Sequence, residues 1–175
     1  RRKIRSHQVA VDGQKAPLFS PVPAFLKRWG EVYGRARRGE ATVLAIAAAH
    51  HRLTWVHPFS DGNGRVARLH THLCLYSTGH SKGLWSPLRG FARSQDPYRA
   101  LLAAADEHRR GDYDGRGNLS QEAFMAWIVY LLESFLEERL RVVEARPRKA
   151  GEAGGSPEAE QEAVQRRQRD EVIAK

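Results

Sequence analysis

Residues 41–56 leave a helix almost no polar face: Val43, Leu44, Ile46, Ala47, Ala48, Ala49 and Leu53 are spread all round it. A helix that is apolar on every side has to be enclosed by other elements. This segment therefore predicts a buried central helix with a mostly helical domain built around it. Its end is equally marked. Pro58 stops the pattern, because proline in a helix interior loses a hydrogen bond and clashes with the preceding turn. The unbroken apolar run at residues 43–49 is far short of the ~20 residues that a membrane-spanning helix needs.

The flanking elements follow from local signals. Val9-Ala10-Val11 and Ala16-Pro17-Leu18 flank Asp12-Gly13, a dipeptide that tolerates positive φ and so favours a two-residue turn. Residues 8–18 predict a short hairpin, with Pro17 marking an edge strand. After the break at Ser20-Pro21-Val22-Pro23, helical spacing of Phe25, Leu26, Trp29, Val32 and Tyr33 predicts a helix closed by Gly39. Residues 60–64 read as a tight loop. A helix from Asn63 to about Thr78 follows, with Val66, Leu69, Leu73 and Tyr76 as its stripe and Gly79 as its stop. Residues 80–95 read as irregular with one short helix. Asp96-Pro97 opens a helix to about Arg110, with Asp96 as N-cap. After a loop at 111–118, a long helix spans about 120–145, with Phe124, Trp127, Ile128, Leu131, Phe135 and Leu136 on one face. The expected organisation is one domain, residues 1–145, and a charged linker and tail, residues 146–175, with a marginal polar helix in its last part.

The 175 residues carry a formal net charge of +9, and 41% of them are hydrophobic. Residues 1–145 hold 22 Lys and Arg against 14 Asp and Glu; the tail holds 7 against 6. The excess is scattered, with clusters only at Arg1-Arg2-Lys3 and at Arg35, Arg37 and Arg38. Neither cluster has interleaved aromatics on which bases could stack. A basic, anion-favouring surface ranks above nucleic-acid binding. The lone Cys74 excludes an internal disulfide and fits a reducing compartment, so a cytoplasmic setting is expected. No signal-peptide pattern opens the chain, and Arg at position 1 suggests a fragment or a processed chain.

Residues 57–68 carry the chemistry. A histidine, His57, ends a buried helix, and Asp61, Gly62, Asn63 and Gly64 form a loop that opens the next helix. Backbone N–H groups at a helix N-terminus favour an anion, and two glycines let the backbone approach a phosphate closely. Arg65 and Arg68 are three apart and share a helix face, which suits a polyphosphate. Asp61 supplies a hard oxygen for Mg²⁺. A histidine is a general base near neutral pH. Phosphate cradle, metal anchor and base together point to phosphoryl or nucleotidyl transfer.

The segment His57-Pro58-Phe59-Ser60-Asp61-Gly62-Asn63-Gly64-Arg65, continuing to Arg68, resembles the signature His-Pro-Phe-x-Asp-Gly-Asn-Gly-Arg-x-x-Arg of the Fic family, with every specified position matched. The resemblance covers roughly residues 5–145 and implies an all-α, mostly helical Fic-like bundle with a small β-hairpin flap. It implies a protein adenylyltransferase that moves AMP from ATP, with Mg²⁺, onto a Ser, Thr or Tyr hydroxyl of a target protein. His57 would deprotonate the hydroxyl and Asp61 would hold the metal. Gly62, Asn63 and Gly64 would form the anion hole, with the Asn63 side chain near the α-phosphate. Arg65 would hold the β-phosphate, and Arg68 the γ-phosphate or an inhibitory glutamate. Phe59 would anchor the loop in the core. The flap at Val9, Ala10, Val11, Asp12 and Gly13 would take the target as an added strand. In the family, Lys at the position of Gly64 accompanies phosphate transfer, so glycine points to attack on the α-phosphate. Tyr98 and Trp85 are nucleobase neighbours by resemblance and core aromatics by type.

Other readings compete. The same site run backwards would remove AMP, which needs a glutamate to position water, and none is found. Transfer of another nucleotide or phosphate group is a third version. A nucleic-acid-binding regulatory module with a silent site ranks low. A histidine-based metal phosphohydrolase would need a His-Asp dipeptide, and none occurs. His50 and His51 diverge on their helix, as do His70 and His72, and no completing ligand set accompanies them. Residues 112–123 resemble a calcium loop but carry Arg116 and Ala123 at ligand positions; they read as a turn into an N-cap at Asn118 or Ser120. The inhibitory pattern Ser/Thr-x-x-x-Glu-Gly/Asn is approached only by Ser134 and Glu138, where Arg139 replaces the small residue. An inhibitory helix is therefore expected in a segment before Arg1 or in a separate protein.

Overall fold

The computed structural model describes residues 3–11, 14–34 and 39–145. Six helices follow a two-strand hairpin among these residues. The enclosed helix is α2 (Glu40–Val56), as its apolar sequence requires: Ile46, Ala47, Ala49, His50, His51, Leu53 and Val56 are all buried along it. Leu44 is the exception and is exposed.

Helix α1 (Val22–Tyr33) starts with Pro21 as N-cap and Pro23 in the first turn, where a missing N–H costs nothing. It lies on α2 through Phe25 against Trp55, and the Trp29 indole donates to the Ala49 carbonyl at 3.0 Å. It closes at Gly34, whose N–H bonds to Gly30 at 2.8 Å, rather than at Gly39. Gly39 instead has φ +61 and starts α2. The Arg35, Arg37 and Arg38 cluster lies outside the described residues, as do Arg1 and Arg2.

Helix α3 (Asn63–Ser77) runs back along α2, and Gly79 turns the chain after it at φ +79. Its inner face is Ala67, Thr71 and Leu75. The expected stripe is corrected here: Leu69, Leu73 and Tyr76 are exposed. The small Ala67 and Thr71 side chains suit close approach of two helix axes, which larger residues at those positions would hold apart.

Two shorter helices, α4 (Pro87–Arg93) and α5 (Gln95–Ala104), come next, and α6 (Gln121–Glu144) ends the description. The expected Asp96 cap is also corrected: Ser94 is the N-cap of α5, with Asp96 in the first turn. Helix α5 stops at Ala104, short of the expected Arg110, and the backbone beyond it pairs with the segment before α6, Ser120 N–H with Glu107 and Arg109 N–H with Asn118. The start of α6 is capped twice. The Ser120 hydroxyl accepts from Ala123 N–H at 3.1 Å, and one Asp114 oxygen accepts from Gln121 and Glu122 at 2.7 and 2.9 Å. The calcium-like loop thus supplies helix caps.

Trp127, Ile128, Leu131 and Phe135 of α6 join Ile46, Ala47, Leu75, Phe91 and Tyr98 in one core. Phe124 packs on its edge, whereas Leu136 is exposed. The chain divides into units of residues 1–142 and 143–175. Of the second only residues 143–145 are described, so the expected linker and tail lie outside the description.

The hairpin is shorter than its sequence suggests. β1 (Ala10–Val11) pairs antiparallel with β2 (Gln14–Lys15), in the register Ala10 to Lys15 and Val11 to Gln14. Asp12 and Gly13 lie outside the described residues. The Gln8 amide also crosses the arms, donating to the Ala16 carbonyl at 2.6 Å.

Candidate active site

The end of α2 sets the site. His57 is its C-cap, in the left-handed conformation at φ 49 and ψ 59. The following proline disfavours the right-handed helical conformation at this residue. A left-handed non-glycine residue is uncommon and strained by about 1–3 kcal/mol, and Lys82 is the only other among the described residues. The His57 ring lies back on α2, with Nδ1 3.3 Å from the Thr54 carbonyl. A carbonyl only accepts, so Nδ1 carries the proton in that contact and the ring lone pair is on Nε2.

Pro58 is fully buried and Phe59 half-buried. The loop is closed by Asn63, which is 3% exposed. Its side-chain oxygen accepts from Phe59 N–H at 2.8 Å, and its amide donates to the Phe59 carbonyl at 2.7 Å. The side chain that the resemblance places near the α-phosphate is thus bonded within the loop in this structure. Replacing Asn63 with Ala is expected to cost about 1–3 kcal/mol of stability by stripping both bonds. A melting curve checks this, and a change within experimental error would contradict it.

Gly62, at φ 79, is the N-cap of α3, and no side chain caps that helix. The first turn of α3 lacks helical acceptors for its N–H groups, the feature that anion binding at a helix start uses. A Cβ added to Gly64 would sit 3.2 Å from Arg68 Nη1, so a side chain there would press on that guanidinium.

Asp61 and Arg65 are exposed and joined at 2.8 Å. Asp61 is the carboxylate of the loop, and among the described residues no three His, Cys, Asp or Glu gather. One carboxylate beside phosphate oxygens and water is enough for Mg²⁺.

Arg68 points toward the core side of the same helix. Its guanidinium lies 5.9 Å from the centre of the Tyr98 ring, and the two line a cavity of about 190 Å³ with Phe91, Gln95 and Arg99. Tyr98 is buried, and its hydroxyl lies 2.9 Å from His50 Nε2. His50 Nδ1 is 2.7 Å from the Thr71 hydroxyl, which donates to the Ala67 carbonyl at 3.1 Å. With that hydroxyl proton committed, His50 donates from Nδ1 and accepts from Tyr98 at Nε2. Burial first, then the positive charge of Arg68, holds this histidine down to about 3 from its usual 6.5. Burial likewise pushes the Tyr98 phenol up. Tyr98 and Trp85, whose ring lies 6.0 Å from that of Phe135, are core aromatics in this structure.

The other three histidines weighed as metal ligands are engaged elsewhere. His51 Nε2 lies 2.8 Å from Asp106, His70 packs edge-on to Trp29, and His72 contacts the Ser86 hydroxyl. Glu138, the near match to an inhibitory glutamate, is buried and paired with Arg93 of α4.

One residue at the site escaped sequence reasoning. Arg5 is 4% exposed, and its guanidinium donates to three carbonyls: His57 at 2.7 Å, His7 at 3.1 Å and Pro17 at 2.5 Å. Its own N–H bonds to the Pro58 carbonyl at 2.9 Å. Within a basic N-terminal stretch, nothing in the sequence separates this arginine from the other basic residues.

Comparison with known proteins agrees with this architecture. Residues 3–75 match the model of the Fic/DOC family. The fold is similar to the crystal structure of a Fic family protein from Desulfovibrio desulfuricans G20, with a TM-score of 0.63 over 84% of this chain at 18% identity. The match spans 43% of the length of that protein. The matched region holds the hairpin strands and the complete signature at 57–68, and the two matches together support a Fic domain in this chain.

Proposed function

We propose that this domain transfers AMP from Mg-ATP to a Ser, Thr or Tyr hydroxyl of a target protein and releases pyrophosphate. Fic family proteins generally transfer nucleotide monophosphates to proteins. The observation that carries the finer reading is the start of α3, uncapped by any side chain and separated from His57 only by the loop that Asn63 closes.

In this reading the α-phosphate rests on the N–H groups of residues 62–64, where the helix dipole and bare backbone favour negative charge. Arg65 and Arg68 hold the outer phosphates. Asp61 would hold Mg²⁺, which neutralises charge on the phosphates when bound. The target chain adds a strand to the short hairpin and brings its hydroxyl to the loop. His57 Nε2 takes the hydroxyl proton, the oxygen bonds to the α-phosphorus, and the bond to the β-phosphate oxygen breaks. The electron pair leaves with pyrophosphate. By resemblance, glycine at position 64, where Lys in the family accompanies phosphate transfer, favours this geometry over one that attacks the γ-phosphate. Whatever restrains the activity, such as a glutamate-bearing helix from another segment or protein, would meet Arg68. The single free thiol, Cys74, suits a cytoplasmic setting.

The test is incubation with a mixed protein extract and ATP labelled at the α- or the γ-phosphate. Label from the α-phosphate alone is expected on protein. Label from the γ-phosphate alone would assign phosphorylation instead. Mass spectrometry after exposure to all four nucleoside triphosphates identifies the donor by the mass added.

A further inference from the structure

A catalytic base and the strand that carries the target need a fixed separation, yet here they sit on different elements. His57 ends α2, while the hairpin is a separate, two-stranded sheet. The structure joins them through one side chain. Arg5 Nε donates to the carbonyl of His57 itself. The two terminal nitrogens donate to His7, before β1, and to Pro17, after β2. One guanidinium thus pins both arms of the hairpin to the residue that would act as base. Gln8 closes the same arms across to Ala16, and the Arg5 N–H adds the bond to Pro58.

Two physical features suit arginine to the place. Its charge sits at the C-terminal end of α2, where the last carbonyls lack helical partners and the dipole is negative. Its planar fork reaches three acceptors in different directions, which the compact ammonium of lysine cannot reproduce. Burial lowers the affinity of the guanidinium for its proton, but an arginine stays charged in proteins.

We propose that Arg5 is a positioning residue that holds the left-handed turn at His57 and sets the distance from the target-bearing hairpin to the base. This rests on the reading of His57 as base and of the hairpin as target edge. Arg5 touches neither nucleotide nor hydroxyl. Its loss therefore acts on the transfer step and spares the phosphate cradle, which residues 61–68 form on their own.

The test compares wild type with Arg5→Lys and Arg5→Gln. Misplacement of a reacting group by ~1 Å costs about 10²-fold in rate, so kcat for α-phosphate label transfer is expected to fall by about that factor in both. Mg-ATP affinity, measured by calorimetry, is expected to stay at the wild-type value. Nitrogen NMR of the His57 ring is expected to show the Nδ1–H tautomer in wild type and a mixture in the variants. Wild type should also show a coupling across the hydrogen bond from Arg5 Nε to the His57 carbonyl carbon.

Absence of that coupling overturns the proposal even if both variants fail to fold. So does a wild-type tautomer with wild-type kcat in the variants, or a parallel loss of ATP affinity and transfer. If wild type transfers no label, the functional reading falls, and the coupling and tautomer still decide whether Arg5 holds His57.

Discussion

Replacing His57 with Ala is expected to lower the proposed α-phosphate label transfer by about 10²–10⁴-fold, the usual worth of a positioned general base, and to leave Mg-ATP binding in place. The separation is expected because the groups proposed to meet the phosphates lie on the far side of Pro58. They are main-chain N–H groups at the start of α3 and the arginines of that helix. The His57 ring contributes its Nδ1 contact to Thr54 and the lone pair on Nε2. Its removal leaves the loop held by Asn63, whose two bonds to Phe59 do not involve the ring. Rate and nucleotide affinity measured on the same preparation check this. A variant that transfers label as fast as wild type would remove His57 as the base.

The second large effect is acid lability centred on His50. The folded protein keeps this ring neutral down to about pH 3, whereas an unfolded chain protonates it near 6.5. The unfolded state therefore binds more protons between these values. The stability this group contributes is complete above pH 6.5 and is lost as pH falls toward 3, at up to about 1.4 kcal/mol per pH unit. Burial is the main cause, with the charge of Arg68 next. Urea melts at pH 7, 5 and 4 should show a shallower loss in His50→Gln, which has no titrating ring. The variant is itself expected to be weaker by about 1–3 kcal/mol at pH 7, because Thr71 and Tyr98 lose a matched partner. His51 is also held below its usual value by burial, but Asp106 at 2.8 Å opposes that shift. Equal slopes for wild type and variant would show that His50 is not the group responsible.

That network also shows where sequence reasoning stopped. His50 reads as a structural histidine on an apolar helix. Its partners, Thr71 and Tyr98, stand 21 and 48 residues away and carry no local mark of the connection. The same holds for Arg5, which meets His57 across 52 residues. Helix α3 fails for a different reason. It carries two apolar rows, one of Leu69, Leu73 and Tyr76 and one of Ala67, Thr71 and Leu75. Hydrophobic size favours the first, but the narrow space beside α2 admits the second.

What the sequence determined by itself is the part that depends on near neighbours. It includes the enclosed α2, the break at Pro58 and the glycine-opened start of α3. These follow from backbone preferences and periodicity within a few residues, as does the order of groups in 57–68. The tertiary structure decided which atoms those groups turn to. Asn63 closes its own loop, Arg68 leans on Tyr98, and a single buried arginine ties the hairpin to His57. Hydrogen bonds between residues far apart in the chain depend on how helices pack, and packing is settled by volume and distance that no local pattern encodes.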